Sequence, residues 1–312
     1  MIQTLNTLEG KPMPVALAAW NTQDLMKQLE DLLRSIVEEE KNDIPVKRVQ
    51  RQLERELLYQ EIQLQWPKMA PNERLAAWKK LIQLSEQAAK TPLPTCVGCG
   101  ECCRKGSPTL HSEDLELLRE GKIPWADIYT LRAGEPVRSP FQEGLTILTE
   151  ERIKLREKPG STECCFFDGE TDQCTIYLHR PLQCRAQACW DPRSTTRLTD
   201  MPHLTRAELF QGVDLLLDLM EEHDQRCSFE RLHKAFEKLH QTGGDSVEEV
   251  LRLLSYEDHF RTFLCDRLNI PDENRRLVFG RSFSELLPIF GLKLVTESDG
   301  STCLVPDGRD GE

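Results

Sequence analysis

Four cysteines crowd into one short stretch of the chain, TCVGCGECC, and this stretch constrains the fold more than any other feature. They are Cys96, Cys99, Cys102 and Cys103, with Gly98 and Gly100 between them. A C-x2-C spacing lets two thiolates turn toward one ion across a tight loop, and glycine lets backbone amides approach the sulfurs. The stretch therefore predicts a metal-binding loop.

Further cysteines follow the loop within about the length of one small domain: Cys164, Cys165, Cys174, Cys184 and Cys189. Nine of the twelve cysteines thus lie between residues 96 and 189, enough for two four-cysteine sites. Cysteines that only pack as small apolar side chains have no need of ligand spacing. The other three are isolated and are expected to be packing residues rather than ligands: Cys227, Cys265 and Cys303.

The spacing also bears on which metal is bound. C-x2-C-x2-C begins the bacterial ferredoxin pattern, but the x3-C-P that follows in ferredoxins is missing, so a fourth ligand has to come from elsewhere in the chain. We expect Cys103 to point away from Cys102 and to join the distant cysteines. Zinc fits a tetrahedral thiolate set equally well. The spacing favours an iron-sulfur cluster, of the 4Fe-4S type, with zinc as the alternative.

Charge and hydropathy limit the partners and the location. The net charge of -12 argues against nucleic acid, because phosphate binding needs clustered Lys and Arg. No apolar run reaches about 18 residues, so no membrane span is expected. The first twenty residues lack the order of a signal peptide, which predicts a cytoplasmic protein whose thiols hold metal rather than disulfides. A protein or a small molecule is the expected partner.

Periodicity and composition predict an α+β fold that is mainly α. Three amphipathic helices are expected between residues 22 and 90, with Pro45 and Pro71 at the starts of the second and third. The predicted organisation is a poorly ordered N-terminus (1–21), a helical region (22–95), a cysteine-cluster metal-binding domain (96–200), a second helical region (201–295) and a flexible tail (296–312).

Short elements are expected within the cysteine region. CCFFDGETDQCTIY reads as a hairpin that brings Cys165 near Cys174. LTILTE and RIKLRE have the alternation of strands, and IPWADIYTLR favours a short helix. Pro181 suits the first turn of another short helix, which would carry Cys184.

Two arginines flank Cys184 and are candidates for binding a cofactor or substrate. Arg180 and Arg185 can offset the charge of a thiolate set or grip an anionic group; equally, they can be surface residues that orient the loop. His179 and His111 are expected to be hydrogen-bonding loop residues rather than ligands. No glycine-rich nucleotide motif, Walker loop, His-Glu-x-x-His or Gly-x-Ser-x-Gly occurs, so a nucleotide-fold enzyme is unsupported.

CVGCGECC, CFF and CTIYLHRPLQCR together resemble the YkgJ-type cysteine-cluster proteins, a zinc- or iron-chelating domain. The resemblance implies ligands at Cys96, Cys99, Cys102, Cys103, Cys165, Cys174 and Cys184, with Cys189 as a plausible addition. The chain departs from the pattern in two places: Cys164 precedes the usual single cysteine, and Ala186-Gln187 replaces an aromatic-proline pair. Both departures bear on the ligand count.

Flagellin lysine methylases resemble this family in their cysteine cluster and use S-adenosylmethionine. The sequence thus leaves several functions open. The first is a protein that holds an iron-sulfur cluster or zinc. The second is an enzyme, either a protein lysine methyltransferase using S-adenosylmethionine or a redox protein. The third is a structural zinc module that recruits a protein partner, and a shared cluster does not by itself decide among them.

Overall fold

The computed structural model describes residues 7–8, 11–12, 17–40, 44–138, 144–191, 198, 201–297 and 302–308. The fold is mainly helical with short antiparallel hairpins, which confirms the predicted class. Residue contacts divide the chain into two compact units. The first unit is Met1–Glu101, Asp168–Cys174 and Gln187–Thr196; the second is Cys102–Phe167, Thr175–Ala186 and Arg197–Glu312. By this division the segments of the cysteine region are assigned to both units.

In the described part of the first unit there are four α-helices where the sequence predicts three: α1 (Thr22–Glu40), α2 (Val46–Leu53), α3 (Leu57–Gln65) and α4 (Pro71–Lys90). The predicted second helix is interrupted after Leu53. There the side-chain amide of Gln60 donates to the backbone carbonyl of Glu54 (2.9 Å), which closes the turn between α2 and α3. The starts predicted at Pro45 and Pro71 agree with the structure.

Tryptophans anchor the core of the first unit. The rings of Trp20 and Trp78 meet edge to face with centroids 5.1 Å apart, and the indole N–H of Trp66 donates to the carbonyl of Trp20 (3.1 Å). The apolar face of α1 packs here through Leu25, Leu29, Leu33 and Ile36. Burial of these apolar surfaces supplies the main driving force for folding of this unit.

The second unit begins in a short helix, α5 (Glu101–Arg104), followed by α6 (Leu115–Arg119). The two predicted strands are present: Leu145–Ile147 pairs with Pro136–Arg138, and Arg152–Leu155 pairs with Ile128–Leu131. The helix predicted over IPWADIYTLR is wrong, because only Trp125–Asp127 forms a 3-10 turn before the strand. Its β-branched and aromatic side chains suit the buried strand.

The predicted hairpin and the helix of Cys184 are both confirmed: Phe167–Asp168 pairs with Gln173–Cys174, and α7 spans Leu182–Ala186. The C-terminal part is helical as expected: Arg206–Leu209, Asp214–Arg226, Phe229–Gln241, Val247–Leu268, Arg275–Phe279 and Phe283–Leu286. The tail predicted to be flexible contains a strand, Thr302–Pro306, paired with Leu292–Thr296. Residues 298–301 and 309–312 lie outside the described part of the chain, as does most of 1–16.

Buried ion pairs run through the second unit. Arg206 binds Glu151 and Asp224, and Asp224 also accepts a hydrogen bond from Arg132 (3.2 Å). Glu257, with no exposed surface, accepts from Arg261 (2.9 Å). The positive charges buried in this unit thus have carboxylate partners, as burial of a charge requires.

Within the described ranges, none of the helices combines the length and the apolar character needed to cross a bilayer.

Candidate metal centre

The nine candidate ligands fall into two sets, one in each compact unit. The first unit holds Cys96, Cys99, Cys174 and Cys189; the second holds Cys102, Cys103, Cys164, Cys165 and Cys184. Among the residues that the structure describes, no three or more His, Cys, Asp or Glu side chains are already arranged around one point as a metal site requires. The geometry that the structure does give is best defined for two pairs of adjacent cysteines in the second unit.

The first pair lies on α5. The Sγ atoms of Cys102 and Cys103 are 4.0 Å apart, so the prediction that Cys103 points away from its neighbour is wrong. Neighbouring side chains leave a helix about 100° apart, and two sulfurs can still meet across that angle. The hydrogen bond between the two thiols, together with burial, raises the pKa of Cys102. A thiol pair that shares a proton in this way can instead share a cation.

The second pair, Cys164 and Cys165, is fastened to the first through the backbone. The amide of Cys164 donates to the carbonyl of Cys103 (2.8 Å), and the amide of Cys165 donates to the carbonyl of Arg156 (3.0 Å). This backbone contact brings the segments of Cys103 and Cys164 together, and a metal shared by Cys103 with the distant cysteines stays a prediction. A hydrogen bond between the two thiols raises the pKa of Cys165 and lowers that of Cys164.

Glycine shapes the loop that carries the cysteines of the first unit. Gly98 and Gly100 have φ angles of +70° and +77°, in the left-handed region where a side chain would be strained. The loop between them is turned inward, because Val97 and Cys99 are both buried. The Gly-Cys-Gly sequence thus specifies a tight turn that keeps Cys99 inside the unit.

The carboxylate of Asp114 binds the first residue of α7, the helix that carries Cys184. This carboxylate is fully buried, accepts the backbone N–H of Leu182 at the start of α7 (2.8 Å) and accepts the backbone N–H of His111 (3.0 Å). Burial raises the pKa of Asp114. The side chain of Gln183 also accepts the amide of Thr109 (2.6 Å). Asp114 thus links the segment before α6 to α7, a contact between residues 68 positions apart that no local sequence pattern indicates.

Arg180 and Arg185 both have partners within the protein. The guanidinium of Arg180 stacks on the ring of Tyr177, 3.8 Å from the centroid, and that of Arg185 forms an ion pair with Glu113 (3.0 Å). His111 is buried and stacks on His203 with ring centroids 4.9 Å apart. These contacts fit residues that orient loops; an anionic ligand at either arginine stays a prediction.

The isolated cysteines Cys227 and Cys265 lie in apolar clusters of the second unit, as their sequence context predicts. Burial raises the pKa of Cys227 to about 12, so this thiol keeps its proton at neutral pH. Packing, rather than ligation, accounts for both side chains.

Comparison with protein families agrees with the cysteine pattern. Residues 95–203 match the family model "CxxCxxCC: Putative zinc- or iron-chelating domain", which confirms the resemblance drawn from the spacing. The match covers about a third of the chain and leaves out α1–α4 and the C-terminal helices. No curated protein and no solved structure matches the chain. The middle of this protein is thus cysteine-rich and similar to a zinc- or iron-chelating domain.

Proposed function

We propose that this protein binds zinc in two separate thiolate centres, one in each compact unit. The carrying observation is the division of the nine cysteines, which gives four to the first unit and five to the second. Four thiolates complete a structural zinc site, and such sites have no open position. Each unit therefore contains enough donors for one closed centre.

The distance between Cys102 and Cys103 supports zinc over the 4Fe-4S cluster that the spacing favours. Zinc-sulfur bonds of about 2.3 Å at tetrahedral angles place two sulfurs about 3.8 Å apart. The observed separation is 4.0 Å. In a cubane cluster each thiolate binds its own iron, so two ligand sulfurs are farther apart. An adjacent pair this close suits one tetrahedral ion.

The donors of each centre follow from this division. In the first unit they are Cys96, Cys99, Cys174 and Cys189. In the second, Cys102, Cys103, Cys164 and Cys165 supply the four thiolates, and Cys184 is the spare donor on α7. Zinc in such a site contributes folding free energy and ties distant segments together, without redox chemistry.

The test is metal analysis of protein purified without oxygen, combined with its visible spectrum. We expect a colourless protein with about two zinc ions per chain. Iron and sulfide in the protein, with an absorption band at ~400 nm, would show that it holds an iron-sulfur cluster instead of zinc. A folded protein free of metal would exclude metal binding altogether.

Serine variants assign the two centres. C96S/C99S and C102S/C103S should each lose about one zinc ion, and should lose different ones. C303S is the matched control, because Cys303 is isolated on the strand Thr302–Pro306 and should keep both ions. Loss of both ions from either double variant would favour a single shared centre.

A further inference from the structure

Helix α2 and the turn after it carry a row of basic side chains that lie outside the family-matched residues 95–203. The four are Lys47, Arg48, Arg51 and Arg55. All of them belong to the first unit, as do Cys96, Cys99, Cys174 and Cys189. Each of these side chains contacts a segment that carries one of those cysteines.

Arg48 joins two of these segments. Its guanidinium donates to the carbonyls of Leu93 and Thr95 (2.9 Å to Thr95), which lie three residues and one residue before Cys96. Its plane lies over the ring of Trp190, 4.4 Å from the centroid, and Trp190 follows Cys189. One side chain thus fixes the approach of the chain to Cys96 and the residue after Cys189.

The other basic side chains of this row contact the segments that carry Cys99 and Cys174. Arg55 donates to the carbonyl of Val97 (3.0 Å), between Cys96 and Cys99. Lys47 and Arg51 both bind the carboxylate of Asp172, each at 3.0 Å, two residues before Cys174. Every cysteine of the first unit therefore lies within two residues of a contact made by α2 or Arg55.

The buried guanidinium of Arg48 lacks a balancing charge among the residues that the structure describes. Its side chain is 1% exposed, and no carboxylate in the described part of the chain lies within ion-pair distance. Its buried Nε–H also has no hydrogen-bond acceptor there. A buried guanidinium is costly without an anion nearby. Zinc bound by four thiolates has a formal charge of about -2, which would supply that anion.

We propose that Arg48 is a positioning residue for the zinc centre of the first unit: it sets the segments of Cys96 and Cys189 and balances the charge of the thiolates. This inference rests on the proposed function. It assigns the N-terminal helices a part in metal binding that the family domain alone does not contain. Arginine suits the role because its planar fork serves two carbonyls while its face stacks on an indole.

Arg74 offers a closely matched control in the same unit. Its guanidinium also donates to two carbonyls, those of Ala18 (2.8 Å) and Trp20 (3.1 Å), and lies over a tryptophan, Trp66. Its Nε is likewise buried and lacks a partner among the described residues. Arg74 contacts no cysteine segment in any of these interactions, so it reports what a loop-fastening arginine contributes by itself.

The experiment measures zinc affinity of the full chain by competition with a chromogenic chelator, for wild type, R48M, R48K and R74M. The affinity compared is that for the zinc ion of the first unit, which is the ion that C96S/C99S should lose. We expect R48M to weaken it about 10- to 100-fold, as loss of an outer-shell partner does, with partial recovery in R48K. R74M should leave the affinity unchanged while lowering the melting temperature.

Equal affinity in R48M and wild type, or an equal loss in R48M and R74M, would overturn the inference. A different result would contradict the proposed function, namely a C96S/C99S variant that retains all of its zinc. If C96S/C99S loses zinc and R48M does not, the centre exists but Arg48 has no part in it.

Discussion

The buried arginines of the two compact units differ in their partners. Arg132 and Arg206, in the second unit, are nearly fully buried and share the carboxylate of Asp224, while Arg206 also binds Glu151. Arg48, in the first unit, is equally buried, and its partners among the described residues are two carbonyl oxygens and an indole. One unit balances its buried charge with its own acids. In the other, we propose that a metal bound by the cysteines supplies the negative charge, which would tie the stability of that unit to its metal.

Zinc removal should have the largest effect on stability, and its effect on the first unit can be followed by tryptophan fluorescence. Structural zinc contributes on the order of 5 kcal/mol or more to folding at neutral pH. We expect chelation to lower the free energy of unfolding by at least that amount. Four of the five tryptophans, among them Trp190, belong to the first unit, so their fluorescence follows that unit. Unchanged fluorescence and melting temperature after complete chelation would contradict the account.

The substitution E257Q comes next in size and concerns the second unit alone. Glu257 is fully buried and accepts hydrogen bonds from Arg261 and from the amide of Phe283. Its removal leaves Arg261 buried without a carboxylate, which should cost about 3 kcal/mol of unfolding free energy. Urea unfolding with and without zinc measures this cost. We expect the same value in both, because this ion pair is complete without metal.

The difference in unfolding free energy between wild type and E257Q should depend on pH, because the pKa of Glu257 is shifted in the folded state. Burial alone would raise this pKa, but the hydrogen bond to His223 and the charge of Arg261 outweigh burial and lower it. A carboxyl with a depressed pKa in the folded state contributes stability above its unfolded pKa, about 4.3, and loses it as the pH falls toward the folded value. The stability gap between wild type and E257Q should be full at neutral pH and narrow below about pH 4. A gap that widens in acid would contradict this reading.

D114N should have the smallest effect and tests how the second unit holds Cys184. The amide can accept only one of the two backbone N–H groups now bound by the carboxylate, so we expect a loss of about 1 kcal/mol. If Cys184 is a ligand, zinc affinity in the second unit should also fall about tenfold. D245N, at an exposed position, is the control. A stability loss without any affinity change would leave Cys102, Cys103, Cys164 and Cys165 as the ligands.

Local features were predictable from the sequence because they depend on neighbours along the chain. The spacing of Leu25, Leu29 and Leu33 specifies α1, and the DGETD turn specifies the hairpin before Cys174. The cysteine spacing likewise indicates a metal-binding region. The strand Ile128–Leu131 was missed because its partner, Arg152–Leu155, is distant in sequence.

The part of the site that escaped prediction consists of long-range contacts made by ordinary polar residues. Lys and Arg on α2 look like a solvated helix face, yet Arg48 binds carbonyls 45 and 47 residues away. Asp114 reaches Leu182, 68 residues away. Neither contact leaves a local pattern, because a single hydrogen-bonding side chain has no periodicity or spacing to detect.

The most direct test of the central comparison is the unfolding free energy of wild type and R48M, each measured at saturating zinc and after chelation. With zinc, R48M should be destabilised by about 1 to 3 kcal/mol, because the thiolate centre loses its cation. Without zinc, the same substitution should cost less, because the lost contacts to Leu93, Thr95 and Trp190 are offset by removal of a buried charge that has no carboxylate partner among the described residues. The same cost of R48M in both forms would contradict the claim that the first unit depends on its metal to balance Arg48.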